Sequence, residues 1–584
     1  MASSIRGQDI SEGEWDDDEY VSDRDYDYED EEEYELYEDA QQVTSTQRSP
    51  IPSAPSGPTP YAVSLVRDIA SAFGLFFTHT VEKLILEMTN LEAERTGYEQ
   101  RNAWWKAGMG ETELRAYVGL LILAGVYRSR GEAAASLWDA ESGCSIFRAT
   151  MPLKVFYAYS KLLRFDDRET RAQRRASDKL VRELWDRWAE RLPYLYNPGP
   201  DVTVDEQLVP LRGRRCPFRQ YMPNKPAKYG IKSWVACDAK SSYAWKMQVY
   251  VGKKELPTGD SHAPALPRSE KNQGARVVLE LTEGLSGPRN VTCDNFFTSY
   301  ELGQRLLERG LTMLGTVRKN KPELPPALVA TKGRPVFSSQ FAFTGATAKS
   351  TTLVSYVPKK NKNMLIMTTL PWRSHSQTRD CSASASYSGL SERSDRKPNL
   401  VLKYNSTKGG VDNLDKVIAT YSCRRMTSRW PVVIFHNILD VSAYNAYVIW
   451  RETNPAWLSG NRNKRRLFLE QLGKALVTPL IEKRRGMPRA EDSAALVRTL
   501  RIGGSGDSDP GSPSSQPQPT RRGSCDHPTQ DILGSLAHPK PNASKRKRCQ
   551  ICPPKKDSKT YTTCQGCSKY VCKSCVLPYC PACV

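Results

Sequence analysis

From about residue 60 to 200 the apolar positions recur at helical spacing. Val81, Leu84, Ile85, Met88 and Leu91 share one face, and Leu114, Val118, Leu121, Ile122 and Ala124 predict a second helix over 111–127. Val155, Phe156, Tyr159, Leu162 and Leu163 mark a third over 152–164, and Leu180, Leu184, Trp185 and Trp188 a fourth over 179–192. These stripes read as packed core. The breaker Tyr196-Asn197-Pro198-Gly199-Pro200 ends the block. Short strand-like runs follow: Val202–Val204, Trp234–Ala236, an alternating Trp245–Val251, Val291–Cys293 and Met313–Val317. Helices are expected between them at 276–285 and 300–308. Further strands are expected at Val336–Phe343, Thr352–Val357 and Met364–Thr369, and a flexible loop at 373–397. After Lys408-Gly409-Gly410, Val411, Leu414, Val417 and Ile418 set up a helix, and a long aromatic-rich helix covers about 431–451.

The flanks are different. Residues 1–40 hold 18 acids and two arginines, a balance of −16, so the other 544 residues carry +35 of the overall +19. An excess of that size calls for a polyanionic partner, nucleic acid first. Residues 1–58 and the Pro- and Ser-rich stretch 486–544 have too little aliphatic content to offset the entropy of ordering, and disorder is expected in both. The charge of the acidic arm suits it to compete with DNA for the basic body. With 584 residues there is room for three or four domains. No run of about 18 apolar residues marks a membrane span. The N-terminus lacks the apolar stretch of a signal peptide, so an intracellular protein with thiol or metal-bound cysteines is expected.

The densest chemistry lies at 201–232. A strand-like run ends on Asp205 and Glu206, and seven cations follow: Arg212, Arg214, Arg215, Arg219, Lys225, Lys228 and Lys232. Such an arrangement suits phosphodiester chemistry, in which carboxylates hold metal and cations hold the polyanion. A strand-end acid paired with arginines is the other reading. Two further acids move the balance. Asp294 ends the run Val291–Cys293, and Asp412 lies on a predicted helix with Asp415 three residues on, sharing its face. Two divalent cations need carboxylates from separate chain positions, and Mg²⁺ suits oxygen ligands of this kind. Glu206, next to Asp205 on a strand, is expected to point to the opposite face.

The motifs VDEQLVPLRGRRCPFRQYMPNKPAKYGIK, VTCDNFFTSYELG, LGTVRKNKPELP and YNSTKGGVDNLD…SCRRMTSRWP resemble, in that order, the piggyBac transposase family over most of 60–450. The resemblance implies a multidomain α/β protein. Its parts would be a disordered acidic tail (1–58), a helical dimerisation and DNA-binding domain (59–200 and 422–485), an RNase H-like catalytic core (201–321 and 401–421), an inserted β-rich domain (322–400), a disordered linker (486–544) and a cysteine-rich zinc domain (545–584). It implies catalytic Asp205, Asp294 and Asp412 binding two Mg²⁺ (Mn²⁺ being the other option), with Asp415 as the fourth acid of the motif. It implies cut-and-paste transposition through nicking, a hairpin and 3′-OH transfer into TTAA, by a nuclear homodimer on terminal inverted repeats. Arg318 and Lys321 fall where the family contacts target DNA, and Arg424 and Arg425 join the expected DNA contacts. Phe296 stands where some members carry Trp. A domesticated DNA- or chromatin-binding protein that no longer cuts is the alternative.

The C-terminus reads as zinc chemistry. Eight of 15 cysteines form four CxxC pairs: Cys549 with Cys552, Cys564 with Cys567, Cys572 with Cys575, and Cys580 with Cys583. Four pairs make two closed tetrahedral sites, and so small a domain needs its metal to fold. Cross-brace and consecutive pairing both fit the spacing; by resemblance to the family this domain binds the terminal repeats. The preceding Lys545-Arg546-Lys547-Arg548 has the composition of a nuclear import signal. The remaining seven cysteines are expected to be ordinary thiols.

Overall fold

The computed structural model describes residues 55–167, 169, 182–252, 272–344, 351–371, 391, 394–484 and 486–503 of a first compact unit (residues 1–507), and 547–548, 559–560 and 570 of a second (508–584). In the second unit Lys547–Arg548 pairs antiparallel with Lys559–Thr560. All eight expected zinc ligands lie outside the described residues: Cys549, Cys552, Cys564, Cys567, Cys572, Cys575, Cys580 and Cys583. So do the acidic arm, residues 504–544 of the expected linker and most of the expected loop 373–397.

The expected helices form at His79–Arg95 (α1), Glu111–Val126 (α2), Leu153–Leu162 (α3) and Arg182–Ala189 (α4). α2 is buried on nearly every side, because it packs closely on the helix Lys464–Lys483. A Cβ on Gly119 would lie 2.9 Å from the Gly473 carbonyl oxygen, and one on Gly473 would lie 2.6 Å from Leu123 Cγ. Larger residues at either glycine would force the two backbones apart.

Among the described residues nine strands form one sheet. They are β1 (Asp201–Pro210), β2 (Arg219–Tyr221), β3 (Tyr229–Asp238), β4 (Ala244–Val249), β5 (Arg289–Cys293), β6 (Leu311–Thr316), β7 (Ser339–Phe343), β8 (Thr352–Lys359) and β9 (Lys362–Thr368). Their order is β2-β3-β1-β5-β6-β9-β8-β7, with β4 also on β3. β1, β5 and β6 run parallel at the centre, and β3 lies antiparallel on β1. Helices α5 (Gln273–Leu281) and α6 (Tyr300–Glu308) fall between β4 and β6 in the chain. β7, β8 and β9 come from the segment expected as an insertion. They continue the same sheet, because β9 pairs with β6 through Ile366 and Thr316. A second small core of Leu314, Val354, Tyr356, Ile366, Leu400, Val401 and Tyr404 covers this end.

Helices α7 (Asn399–Thr407), α8 (Gly410–Thr420) and α9 (Trp430–Thr453) follow. α9 is long and apolar enough to cross a membrane, but 89% of its apolar window is buried inside the fold. It is the core helix that joins the helical block to the sheet. Trp188 Nε1 donates to Ser442 Oγ (2.8 Å), and Asn445 both accepts from and donates to the backbone of Ala244 on β4 (3.0 and 2.9 Å). After α10 (Lys464–Lys483) comes a difference from the sequence reading. Residues 491–503, placed in a disordered linker, form helix α11, with Ala494 and Val497 buried and Ser493 donating to the Ser145 carbonyl at 3.1 Å. Apolar spacing over Ala494, Val497 and Leu500 carries it, and the Pro- and Ser-rich composition starts only beyond it.

Candidate active site

β1 and β5 pair in parallel register up to Val204 and Cys293. The next residue on each is an aspartate, so Asp205 and Asp294 stand side by side where the β1–β5 pairing ends; β5 stops at Cys293, whereas β1, expected to end on Asp205 and Glu206, runs on to Pro210 against β3. Asp205 accepts from the backbone N–H of Glu206 at 2.7 Å, and Asp294 from that of Phe296 at 2.9 Å. Glu206 does not keep to the opposite face. Carboxylate oxygens of Asp205, Glu206 and Asp294 lie within 4.8 Å of one another. Strand alternation fixes Cβ directions, but Glu206 lies beyond the last residue paired with β5, and its flexible side chain can turn back to its neighbour there.

The electrostatics follow from this crowding. Burial and then the charges of Glu206, Asp294 and Asp412 hold the Asp205 carboxyl well above its ordinary range, against the opposing pull of Lys225. Asp294 is pushed up to about 6 by burial and then by Glu206, while the Phe296 N–H, Arg318 and Lys232 pull it down. Negative charge is in surplus in a partly dehydrated place. A hard, oxygen-only donor set with that surplus fits a hard divalent cation such as Mg²⁺ or Mn²⁺.

Asp412 arrives from the other side. α8 begins at Gly410, where a Cβ would lie 2.6 Å from Thr203 Oγ1 on β1. Only glycine lets the helix start that close to the strand, and Asp412 then sits in its first turn. Its side chain is half exposed and meets Lys225 Nζ at 3.4 Å. Asp415, one turn on, faces inward instead and accepts from Gln207 Nε2 at 2.7 Å; burial pushes it up to about 7.

The cations divide into groups. Arg212, Arg214 and Arg215 are exposed on the loop after β1. Arg219 stacks on the Tyr229 ring (4.6 Å), beside Tyr221 (ring centroids 4.8 Å apart), and both tyrosines are exposed. Lys228 is exposed at a left-handed φ of 53°. Lys225 is buried and donates to the Glu206 carbonyl oxygen (3.1 Å). Lys232 Nζ lies 3.8 Å from the Trp234 ring centre and 5.3 Å from that of Phe296, and burial lowers its pKa. Arg318, exposed, reaches over the far part of this stack, 5.9 Å from the Phe296 centroid, and donates to Asn295 Oδ1 at 3.4 Å; Lys321 is half-buried. Arg424 is half-buried near Arg130 and Arg212, and burial lowers its pKa. Arg425 is committed internally, to Ser129 O and Oγ (2.7 and 2.8 Å) and Glu132 O (2.9 Å). The structure thus brings Lys225, Lys232 and Arg318 to the acids, keeps Arg212, Arg214, Arg215, Arg219 and Lys228 outside on the surface, and spends Arg425 on loop carbonyls.

Sequence reasoning missed Gln207 and Trp234. Gln207 stands two residues after Asp205, on the same strand face, a signal that was open to reading. Trp234 stacks on Phe296 at 5.4 Å and 16°, a pairing between distant positions that only the fold reveals. Among the described residues Cys144, Cys216, Cys237, Cys293 and Cys423 are free thiols. The pairs Cys549 with Cys552, Cys564 with Cys567, Cys572 with Cys575 and Cys580 with Cys583 fall outside those residues, and their zinc assignment rests on the CxxC spacing alone.

Comparison with known proteins gives the family. The Transposase IS4 family profile matches residues 69–447. Human PiggyBac transposable element-derived protein 3 is 24% identical over 430 residues, covering 70% of this chain and 66% of its own length. The human Chimeric ERCC6-PGBD3 protein is also 24% identical over 430 residues, with 37% of its length covered. The chain therefore spans less than two thirds of either curated relative. A cryo-EM structure of the piggyBac transposase, in a synaptic complex with hairpin DNA, superposes with a TM-score of 0.65 at 30% identity, over 91% of this chain and 100% of that one. On the family profile, the structural match over 91% of the chain and the order of the motifs, this chain belongs to the piggyBac-type transposases.

Proposed function

We propose that the protein is a cut-and-paste DNA transposase built on an RNase H-like core. One observation carries this reading: two aspartates that each follow the last paired residue of two adjacent parallel strands, with a third on a helix seated against the first strand. Asp205, Asp294 and Asp412, joined by Glu206, would hold two Mg²⁺ (or Mn²⁺), which when bound activate the attacking oxygen and stabilise the leaving one. Lys232 and Arg318 stand at the edge of the acids, where they can hold a phosphate, and the exposed arginines and Lys228 supply a track for the flanking backbone. Water nicks one strand; the freed 3′-OH attacks the other to give a hairpin; the hairpin is opened; and the 3′-OH ends join a TTAA target. The remaining assignments are a homodimer on terminal inverted repeats, a nuclear location, and two structural Zn²⁺ held by Cys549, Cys552, Cys564, Cys567, Cys572, Cys575, Cys580 and Cys583.

D205N, D294N and D412N test the reading on a substrate taken from the genomic flanks of the reading frame. Each should lose cleavage and keep DNA binding; a variant that still cuts removes its residue from the required set. A domesticated DNA- or chromatin-binding protein is the second reading, favoured by the human relative being named as element-derived. Excision by the unaltered protein, absent in D205N, would exclude it.

A further inference from the structure

Five carboxylates, Asp205, Glu206, Asp294, Asp412 and Asp415, crowd this end of the sheet, and of the three cations that face them only Lys225 is fully enclosed, at 7% exposure. Its loop is closed by its own backbone. Met222 N–H donates to Lys228 O (2.7 Å), Lys225 N–H to Met222 O (3.1 Å) and Lys228 N–H to Lys225 O (2.9 Å). This turn sends Lys228 out to solvent and Lys225 inward, where Nζ is held by the Glu206 carbonyl (3.1 Å) and meets Asp412 Oδ1 (3.4 Å). Asp412 does not need this contact for its position. Val411 and Leu414 are buried, Gly410 abuts Thr203, and Asp415 is tied to Gln207.

We propose that Lys225 is a resident counter-ion that weakens divalent-cation binding at the Asp412 side of the site in the DNA-free protein; this rests on the metal reading given above. A cation fixed beside carboxylates takes up the charge that would otherwise attract a metal ion. The DNA-free protein then carries a site that is charge-balanced on one side, rather than one fully loaded for cutting. Lys232 and Arg318 cannot act in this way, since they lie toward Asp294 and Lys232 is held against aromatic rings.

The test is Mn²⁺ titration of the full-length protein without DNA, with free Mn²⁺ followed by its EPR signal. D205N/D294N supplies the background from the acidic N-terminal residues and other weak sites. K225M, which keeps most of the unbranched side chain and removes its charge, should bind Mn²⁺ at least about tenfold more tightly. K225R should match the unaltered protein, and the gain should vanish in K225M/D412N. A purely structural ion pair predicts instead a lower melting temperature with unchanged or weaker Mn²⁺ binding, which would overturn the proposal. Melting in chelator checks the fold, and K225Q replaces K225M should the latter not fold. If the unaltered protein titrates like D205N/D294N, the metal reading itself fails and the inference goes with it; if only the gain in K225M is missing, the metal reading stands and Lys225 has no such role.

Discussion

Gln207 donates to Asp415 across 2.7 Å, binding the strand that carries Asp205 to the helix that carries Asp412. The same side chain accepts from Asn437 on the core helix α9 at 3.0 Å. One buried amide therefore fixes the relative position of three elements. Q207M keeps the volume and removes both bonds, leaving two buried polar groups without partners. The expected cost is about 3 kcal/mol, read as a lower melting temperature, with a slower cleavage rate because Asp412 shifts relative to Asp205. An unchanged rate at temperatures where the variant is folded would show that α8 is positioned without Gln207.

Glu206 provides a second test, because its carboxylate joins Asp205 and Asp294 within 4.8 Å. E206Q removes one negative charge and one strong donor while keeping the shape. Divalent-cation affinity should fall by roughly tenfold, a loss on the scale of one nearby charge, and cleavage at limiting Mg²⁺ should fall with it. Excess Mg²⁺ should restore most of the rate. Equal metal affinity in E206Q and the unaltered protein would mean that Glu206 is only a neighbour.

Arg318 and Lys321 follow β6 directly, and Lys321 N–H donates to the Arg318 carbonyl at 3.3 Å, so the two form one turn beside Asp294. Substituting both by Ala removes exposed or half-exposed charge with little loss of packing. Integration should fall more than excision, since the turn stands at the edge of the acid cluster on the exposed side, where a second DNA can reach it. Equal loss of both steps, measured by paired plasmid excision and colony-integration assays, would refute a role in target contact.

How much of this was legible depends on the range of the interaction concerned. The central strands were readable because Val202, Val204, Val291 and Met313 alternate or cluster locally, and the helices because apolar spacing repeats every turn. Asp294 was readable as a strand-end residue and Asp412 as a helix residue, whereas Asp205 lies midway along β1, and the meeting of Asp205 with Asp294 depends on the parallel register that ends at Val204 and Cys293. Glu206 was misjudged because backbone alternation says where a Cβ points and not where a flexible carboxylate goes. Lys225 looked like one cation among seven, and nothing local marks it as the one turned inward; the turn of residues 222–228 decides that. α11 was missed because a charged, short helix beside a low-complexity stretch offers only Ala494, Val497 and Leu500 as signal.

Asp440 lies on the buried side of α9 and accepts from Ser422 Oγ (2.6 Å) and the Cys423 N–H (2.8 Å). Burial outweighs both bonds and pushes its carboxyl up to about 6 from the ordinary 3.8. The sign of the consequence follows from proton binding. Between pH 3.8 and about 6 the unfolded chain gives up this proton while the folded chain keeps it, so stability falls as pH rises. Above pH 6 the loss is complete, at about 3 kcal/mol from this group. D440N does not titrate, keeps an oxygen for the Cys423 N–H, and leaves Ser422 a hydroxyl that can turn to accept from the new amide. The melting temperature of D440N relative to the unaltered protein should therefore climb between pH 4 and 6 and level off above, by a few degrees in total. Parallel melting curves for the two proteins across that range would show that Asp440 stays ionised in the fold, held by Arg130 and its two donors.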